Sequence, residues 1–492
     1  MMQNTRIQYL AAFAVSLATM TNSVAYFWMT PMLPKFYDND TSMIRITPDE
    51  ISWVAASIYL GTIAGSVLTT SISDRFGRRT TLLCSAAPYI VGTVFILCAS
   101  DVWLLYIGRF LWGLASGLIT NVSSLYLSEI ADKEMKGTWT TLTRSISSFG
   151  VLLVLSLGSF VSYQVLSYFL IVLPVCYFIA CRRIPETPYF LIKVGRVDAA
   201  RRELLSLSGS KDERAIDEKL SVMRSEIRME ALRSSSAYEL ITGKQYRKAV
   251  IVTAGMLLTQ TMAGSIPIQQ YFGHIVQESN DEMEVSTTLI IFGVVCFSVG
   301  LSSPVIAKKV SHRPLLIYSY LGSAAVLSVI GTYFFQQRII GIDDDSSLAI
   351  SYVVFANIIC FTVISGLGFD SLASVVASEV FPTNVRSTHT SVLTTYTAIL
   401  TFVVVRGYQI LEDWLDLYGV FWVYTAMAVI GAVFTYLLVP ETKCKSLSEV
   451  QIVFQGNMYK DVNGSLEHGI IAEDDVNENT ELKEMVYKNG VA

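Results

Sequence analysis

Twelve apolar stretches recur along the chain, at approximately 8–33, 52–72, 81–99, 103–127, 138–161, 164–181, 248–276, 286–307, 314–334, 348–378, 388–410 and 418–439. A helix rising 1.5 Å per residue needs about 20 such residues to cross the hydrocarbon of a bilayer, and these stretches have that length. The chain around them is 52% hydrophobic and only 16% charged over 492 residues, which leaves too little charge to solvate a soluble protein of this size. The pattern predicts an all-α membrane protein with twelve transmembrane helices. The first stretch is too long for a secretory signal, has only Arg6 before it and lacks a small-residue cleavage site. It reads as the first span.

Basic residues set the orientation, because short loops rich in Lys and Arg stay on the cytoplasmic side. Arg75, Arg78, Arg79, Lys133, Lys136, Lys308, Lys309, Arg313 and Arg386 fall in alternate loops, together with the basic segment 182–248. Both termini are therefore expected in the cytoplasm. The opposite loops include QESNDEMEV (277–285), GIDDDSS (341–347) and LEDWLDL (411–417), which are acidic and face outside. Asn39-Asp40-Thr41 is a glycosylation sequon in the first outer loop, whereas Asn463-Gly464-Ser465 lies on the cytoplasmic tail, out of reach of that machinery.

Cys84, Cys98, Cys176, Cys181, Cys296 and Cys360 lie in apolar spans and read as buried hydrophobes; Cys444 follows the last span. No spacing suggests a metal, redox or cofactor site, and no nucleophile and base occur in a catalytic pattern. Neither an enzyme nor a nucleic-acid partner is expected. The expected partners are a small solute and the bilayer itself.

The order of elements divides the chain into a six-helix bundle (1–182), a cytoplasmic helical linker (183–247), a second bundle (248–440) and an acidic tail (441–492). VDAARRELLSL and KLSVMRSEIRMEAL have helical spacing in the linker, with Asp198 four residues before Arg202. The two bundles repeat a pattern. PETPYFL (185–191) follows span six and PETKCKSL (440–447) follows span twelve; Glu129 precedes Lys136 as Glu379 precedes Arg386. An internal duplication accounts for this, and such repeats place a solute site near the midplane between halves.

The motifs DRFGRR (74–79), GRFLWGLASG (108–117), SEIADKEMKG (128–137), PETPYFL, SEVFPTNVR (378–386) and VPETKC (439–444) occur in order over nearly the whole chain. In these the sequence resembles the sugar porters of the major facilitator superfamily, with the trehalose and glucose facilitators as the nearest branch. The resemblance implies two pseudo-symmetric six-helix bundles and an ionic lock on the cytoplasmic side. Carried over residue by residue, that lock would use Asp74, Arg75, Arg78, Glu129, Lys136 and Glu186 in the first half, and Glu379, Arg386 and Glu441 in the second. The second half departs from the pattern, since AKKVSHRP (307–314) puts Lys308 in the place of an acid. A weaker or rearranged lock is expected there.

The resemblance also implies a cavity lined from spans five, seven, ten and eleven. Gln260, Gly264 and Tyr271 match the family pattern in span seven, but Asp370 and Ser374 replace a glycine and a tryptophan in span ten, and Thr397-Ala398 replaces an Asn-Trp pair. Arg144 stands where span five normally supplies a glutamine. Independently of any family, Thr140, Thr141, Ser147 and Ser148 surround it at helical neighbours, a polar stripe that does not favour lipid. A charge inside a membrane points to a cavity or a helix interface. Measured from the cytoplasmic helix ends, Arg144 and Asp370 lie at depths of roughly 10 and 14 Å, so an Arg144–Asp370 pair is one reading. Snorkelling to the interface and direct contact with an anionic solute are the others.

The function expected from these features is alternating-access, facilitated transport of a hexose, a trehalose-like sugar or a polyol across the plasma membrane. An organic-anion or proton-coupled carrier using Arg144 and Asp370, and a solute sensor that does not transport, remain as alternatives.

Overall fold

The computed structural model describes residues 5–37, 46–131, 136–208, 213–232, 247–279, 284–340, 347–380 and 386–441. Asn39 and the tail from 442 onward lie outside the described residues, as do the side chains of Lys136, Ser374, Glu379 and Arg386. All regular structure among the described residues is helical. Eleven segments are long and apolar enough to cross a membrane, from Ile7–Phe36 to Thr390–Leu438. The last is 49 residues long and holds both of the final two expected spans. Its backbone leaves the helical region at Asp416 (φ 54°, ψ 177°), so the two spans join at a sharp bend.

Local chemistry explains several helix ends. The second span opens on Thr47, whose hydroxyl accepts the Glu50 N–H while the Glu50 carboxylate accepts the Thr47 N–H, with Pro48 in the first turn. This reciprocal cap satisfies two backbone donors that a helix start leaves open. Between helices, lipid removes the hydrophobic driving force, so association rests on close packing of small residues. The second span (Pro48–Phe76) and the fourth (Val102–Ile130) do this along their length. A Cβ on Gly61 would sit 1.9 Å from the Phe110 carbonyl oxygen, and one on Gly113 1.9 Å from that of Ile58.

The core runs through both halves and contains Trp28, Trp112, Tyr271, Phe292, Tyr320 and Phe421. The outer helix surfaces carry Leu, Val and Ile, with the bulky rings Trp103, Phe160 and Trp414 near one end and Phe76 and Tyr436 near the other. In a bilayer such a surface matches its solvent, and rings near both ends suit the two interfaces. Cys84, Cys98, Cys176 and Cys360 lie on these outer surfaces rather than in the core, Cys296 is half-buried, and of the six described only Cys181 is buried as expected.

Among the described residues three helices lie between the sixth and seventh spans: Pro188–Lys193, Val197–Ser208 and Glu213–Leu232. They form their own small core around Phe190, Leu204, Ile216 and Leu220. Arg202 bonds the Asp198 carbonyl rather than its carboxylate, and an ion pair of 3.0 Å instead links Arg201 to Asp217 on the next helix. Gln8 ties this cluster to the first span by donating to the Leu207 carbonyl at 3.1 Å.

Candidate functional site

The seventh and tenth spans, expected to be continuous, are both broken, and the breaks meet. A helix ends at Met262 and another begins at Ser265, with Gly264 between them at φ 82°. That left-handed backbone favours glycine, and a Cβ there would sit 2.3 Å from the Tyr424 ring. In the tenth span the helix Ser347–Leu367 stops at Gly368 and Phe369–Val380 starts afresh, placing Asp370 in its first turn. Open N–H groups at a helix start favour a carboxylate. Across the two breaks the Ser265 hydroxyl donates to Asp370 Oδ1 at 2.9 Å, and Gln260 Nε2 lies 3.5 Å from the same oxygen. Phe369 stacks on Tyr320 at 4.6 Å, and the Tyr320 hydroxyl meets that of Thr259 at 3.1 Å. The structure thus brings the expected Gln260 and Asp370 together and adds Ser265, which the sequence reading left unassigned.

Arg144 lies on the fifth span (Gly137–Phe160), on the face that meets the eighth. Gly137 packs against Lys308 two turns before it, and Ser148 against Gly300 one turn after it. The flanking hydroxyls serve their own helix: Thr141 donates to the Gly137 carbonyl and Ser145 to that of Thr141. Asp370 acts electrostatically on Arg144, yet the two do not touch. Among the described residues the guanidinium has no hydrogen bond and no ion pair. The expected Arg144–Asp370 contact is therefore open, because Ser265 and Gln260 hold the carboxylate instead.

At the Arg78 end of the bundle the motif residues join in one network. Arg78 is 2% exposed; its guanidinium reaches Glu129 at 3.1 Å and Asp74 at 3.4 Å, and lies over the Phe190 ring. Glu186 accepts the backbone N–H groups of Arg78, Arg79 and Thr187 at 3.0 to 3.1 Å. This cradle needs the turn at Gly77 (φ 96°), where a Cβ would sit 2.4 Å from the Glu186 carboxylate. Burial pushes the Glu186 carboxyl above the ordinary carboxylate range, against the pull of the backbone N–H groups and Arg78. Lys193 of the linker joins at 3.2 Å from Asp74. Arg75 does not join; it lies over the Phe76 ring. Every described member of the network belongs to the first half and the linker.

Among the described residues the second half repeats the backbone part. Glu441 accepts the N–H groups of His312 and Arg313 at 3.1 and 3.3 Å, as Glu186 does for Arg78 and Arg79. Counted from that shared cradle, Lys308 stands in the place of Asp74 and His312 in the place of Arg78. The halves meet near this end through hydroxyl and amide groups: Ser66 with Thr395 at 2.6 Å, Thr70 with Ser391 at 3.0 Å and Asn121 with Thr394 at 2.8 Å. Asn121 thus bridges from the first half to the second. Its Nδ2 has no partner and borders a small cavity shared with Thr70, Ser73 and Ser391. Thr397, two turns along from Thr390, is half-buried, and its carbonyl accepts the Thr401 hydroxyl.

The opposite end is sealed by contacts between halves. Arg406 reaches Asp49 and the Ser52 hydroxyl (3.0 Å) and lies 5.0 Å over the Trp53 ring. Gln270 donates to the Tyr59 hydroxyl at 2.7 Å and Thr30 to the Gln269 carbonyl at 3.1 Å. Tyr271 stacks on Tyr408 at 4.2 Å in this seal, away from Asp370. His274 is buried between Glu278 at 3.6 Å and Glu412 at 3.8 Å. Arg109 of GRFLWGLASG is fully buried, donating to the carbonyls of Ala25 (2.7 Å) and Val54 (3.2 Å) with Trp28 beneath it. Its partners are backbone atoms, which leave no mark in a sequence.

A family model described as sugar (and other) transporter matches residues 7–454 of this chain. The chain belongs to the sugar transporter family. The facilitated trehalose transporter Tret1 of Apis mellifera ligustica is 26% identical over 451 residues, covering 92% of this chain and 88% of that protein. Tret1 of Drosophila virilis is 28% identical over 454 residues, 92% of this chain but 49% of that longer protein. Among solved structures, the proton:xylose symporter XylE bound to 6-bromo-6-deoxy-D-glucose superposes with a TM-score of 0.73 at 17% identity, over 92% of this chain and 100% of that one. That likeness establishes the fold. The chain is a multi-pass membrane protein with the major facilitator fold.

Proposed function

We propose that this sugar transporter is an alternating-access carrier that moves a sugar-sized, polyhydroxylated solute down its gradient, with both termini cytoplasmic. One observation carries the reading: the Gly264 and Gly368 breaks meet at Ser265 and Asp370, between seals made of weak contacts. Broken helices free backbone and side-chain polar groups in mid-span, which is where carriers bind solute. Each seal is a set of hydrogen bonds and stacked rings, individually worth about 0.5–1.5 kcal/mol, so either can open at a cost of a few kcal/mol. The Arg406 end would then be the outer gate and the Arg78 end the inner one, with Lys136, Glu379 and Arg386 as further inner-gate charges and Asn39 as a glycan site. Relatives described as facilitated trehalose transporters support the solute class.

Purified protein in liposomes tests this. Labelled glucose or trehalose should enter saturably, and an imposed pH gradient should leave the final level unchanged. Solute-induced stabilisation with no flux would replace the carrier by a sensor.

A further inference from the structure

The reading above leaves Arg144 without a task. An arginine within a span costs several kcal/mol unless it is paired or solvated, and it presents five N–H donors in a planar fork that fits a carboxylate. Every other arginine that the structure describes within the spans near the halves' interface is engaged: Arg78 by Glu129 and Asp74, Arg109 by two backbone carbonyls, Arg406 by Asp49 and Ser52. Among the described residues Arg144 alone of these four has no hydrogen bond and no ion pair, although it sits at the seam where the fifth span meets the eighth.

Its one electrostatic neighbour is already served. Asp370 comes from the other half, and its Oδ1 takes the Ser265 hydroxyl at 2.9 Å and the Gln260 amide at 3.5 Å. A carboxylate held by neutral donors does not need the guanidinium. The site therefore has a satisfied acceptor pole on one half and an unsatisfied donor pole on the other. A neutral amide in the place of Arg144 serves a neutral polyol without the cost of a half-buried cation within a span.

We infer that the solute is a hydroxylated carboxylate, a sugar acid, whose carboxylate pairs with Arg144 while a hydroxyl at its other end donates towards Asp370 as Ser265 does. The bidentate, charge-assisted contact supplies most of the selectivity, and the hydroxyls keep the solute's far end clear of like-charge repulsion with Asp370. Binding then draws the two halves together across the breaks, which couples occupancy to closure. This assignment rests on the carrier reading and narrows it from sugars in general to their acids.

The test compares D-glucuronate, D-glucose and propionate on the full-length protein in liposomes and detergent, by thermal stabilisation and by labelled uptake. Glucuronate should bind at least about tenfold more tightly than glucose, a charge-assisted contact being about twice as strong as a neutral one, and propionate, which lacks hydroxyls, should bind more weakly than glucuronate. R144Q should bring glucuronate down to the level of glucose, while R144K keeps part of the preference. Glucose binding as well as glucuronate, or R144Q retaining the acid preference, would overturn the assignment. Should R144Q not fold, the wild-type ranking and R144K decide alone. If glucose moves and glucuronate does not, only the charge assignment falls; if neither solute binds nor moves, the carrier reading falls with it.

Discussion

Replacing Arg406 by glutamine probes the seal that holds one end of the bundle shut. The side chain makes three contacts across the halves, and each has a size. Its pair with Asp49 joins groups that are 18% and 63% exposed, so solvent limits it to about 0.5 kcal/mol. The hydrogen bond to fully buried Ser52 contributes about 1 kcal/mol, and the stack over Trp53 about 0.5–1 kcal/mol. Their sum is about 2 kcal/mol, or about 30-fold in the ratio of closed to open at this end. A cysteine at Thr30, which is fully buried in the seal, reports opening by its rate of maleimide labelling in a background whose seven native cysteines are serine. R406Q should raise that rate about 30-fold, and D49N by no more than about threefold, since Asp49 contributes the screened share. A rate unchanged by R406Q would refute the assignment of these contacts to a gate.

The other end allows stability predictions. E129A leaves Arg78 buried with Asp74 as its remaining acid, and should cost about 3 kcal/mol in mixed-micelle denaturation, with R78Q in the same background adding little further; full additivity of the two would show that they are not a pair. G77A forces a side chain into φ 96° against the Glu186 carboxylate and should cost about 1–3 kcal/mol; an unchanged melting temperature would count against the cradle. Glu186 also sets a pH dependence. Its folded-state pKa is raised above 4.5, so the folded state holds this proton longer than the unfolded chain does. The stability linked to it is present below 4.5 and is lost as pH rises through the folded value, and E186Q should flatten that branch of the curve.

The architecture was legible because its cause is one-dimensional. Apolar runs, basic loops and the PETPYFL and PETKCKSL echoes all read directly along the chain, and the twelve spans, the linker helices and the shared cradles of Glu186 and Glu441 follow from them. The breaks did not show. A glycine in an apolar run reads as a packing residue, as Gly61 and Gly113 are, and only the folded backbone, with Gly264 at φ 82° and the helix restarting after Gly368, shows the break.

Contacts between halves were the least legible part. Arg406 and Asp49 lie 357 residues apart, and nothing local in either segment marks the other. Ser391, Thr394 and Thr395 lie in a hydroxyl-rich run (387–397), but their partners Thr70, Asn121 and Ser66 required the packed structure. Counting helical rise placed Arg144 and Asp370 at similar depths. Depth along two axes does not fix the distance between them, and the hydroxyl of Ser265, freed by a helix break, took the place that the arginine was expected to fill.

The claim that one solute site is exposed alternately to the two sides of the membrane meets its most direct test in trans-acceleration. Purified protein in liposomes preloaded with unlabelled glucuronate or glucose is presented with the same solute labelled outside. Alternating access predicts that preloading speeds entry, because the loaded carrier returns faster than the empty one, and that entry rate saturates with outside concentration. Entry that is linear in concentration and indifferent to preloading would contradict the account.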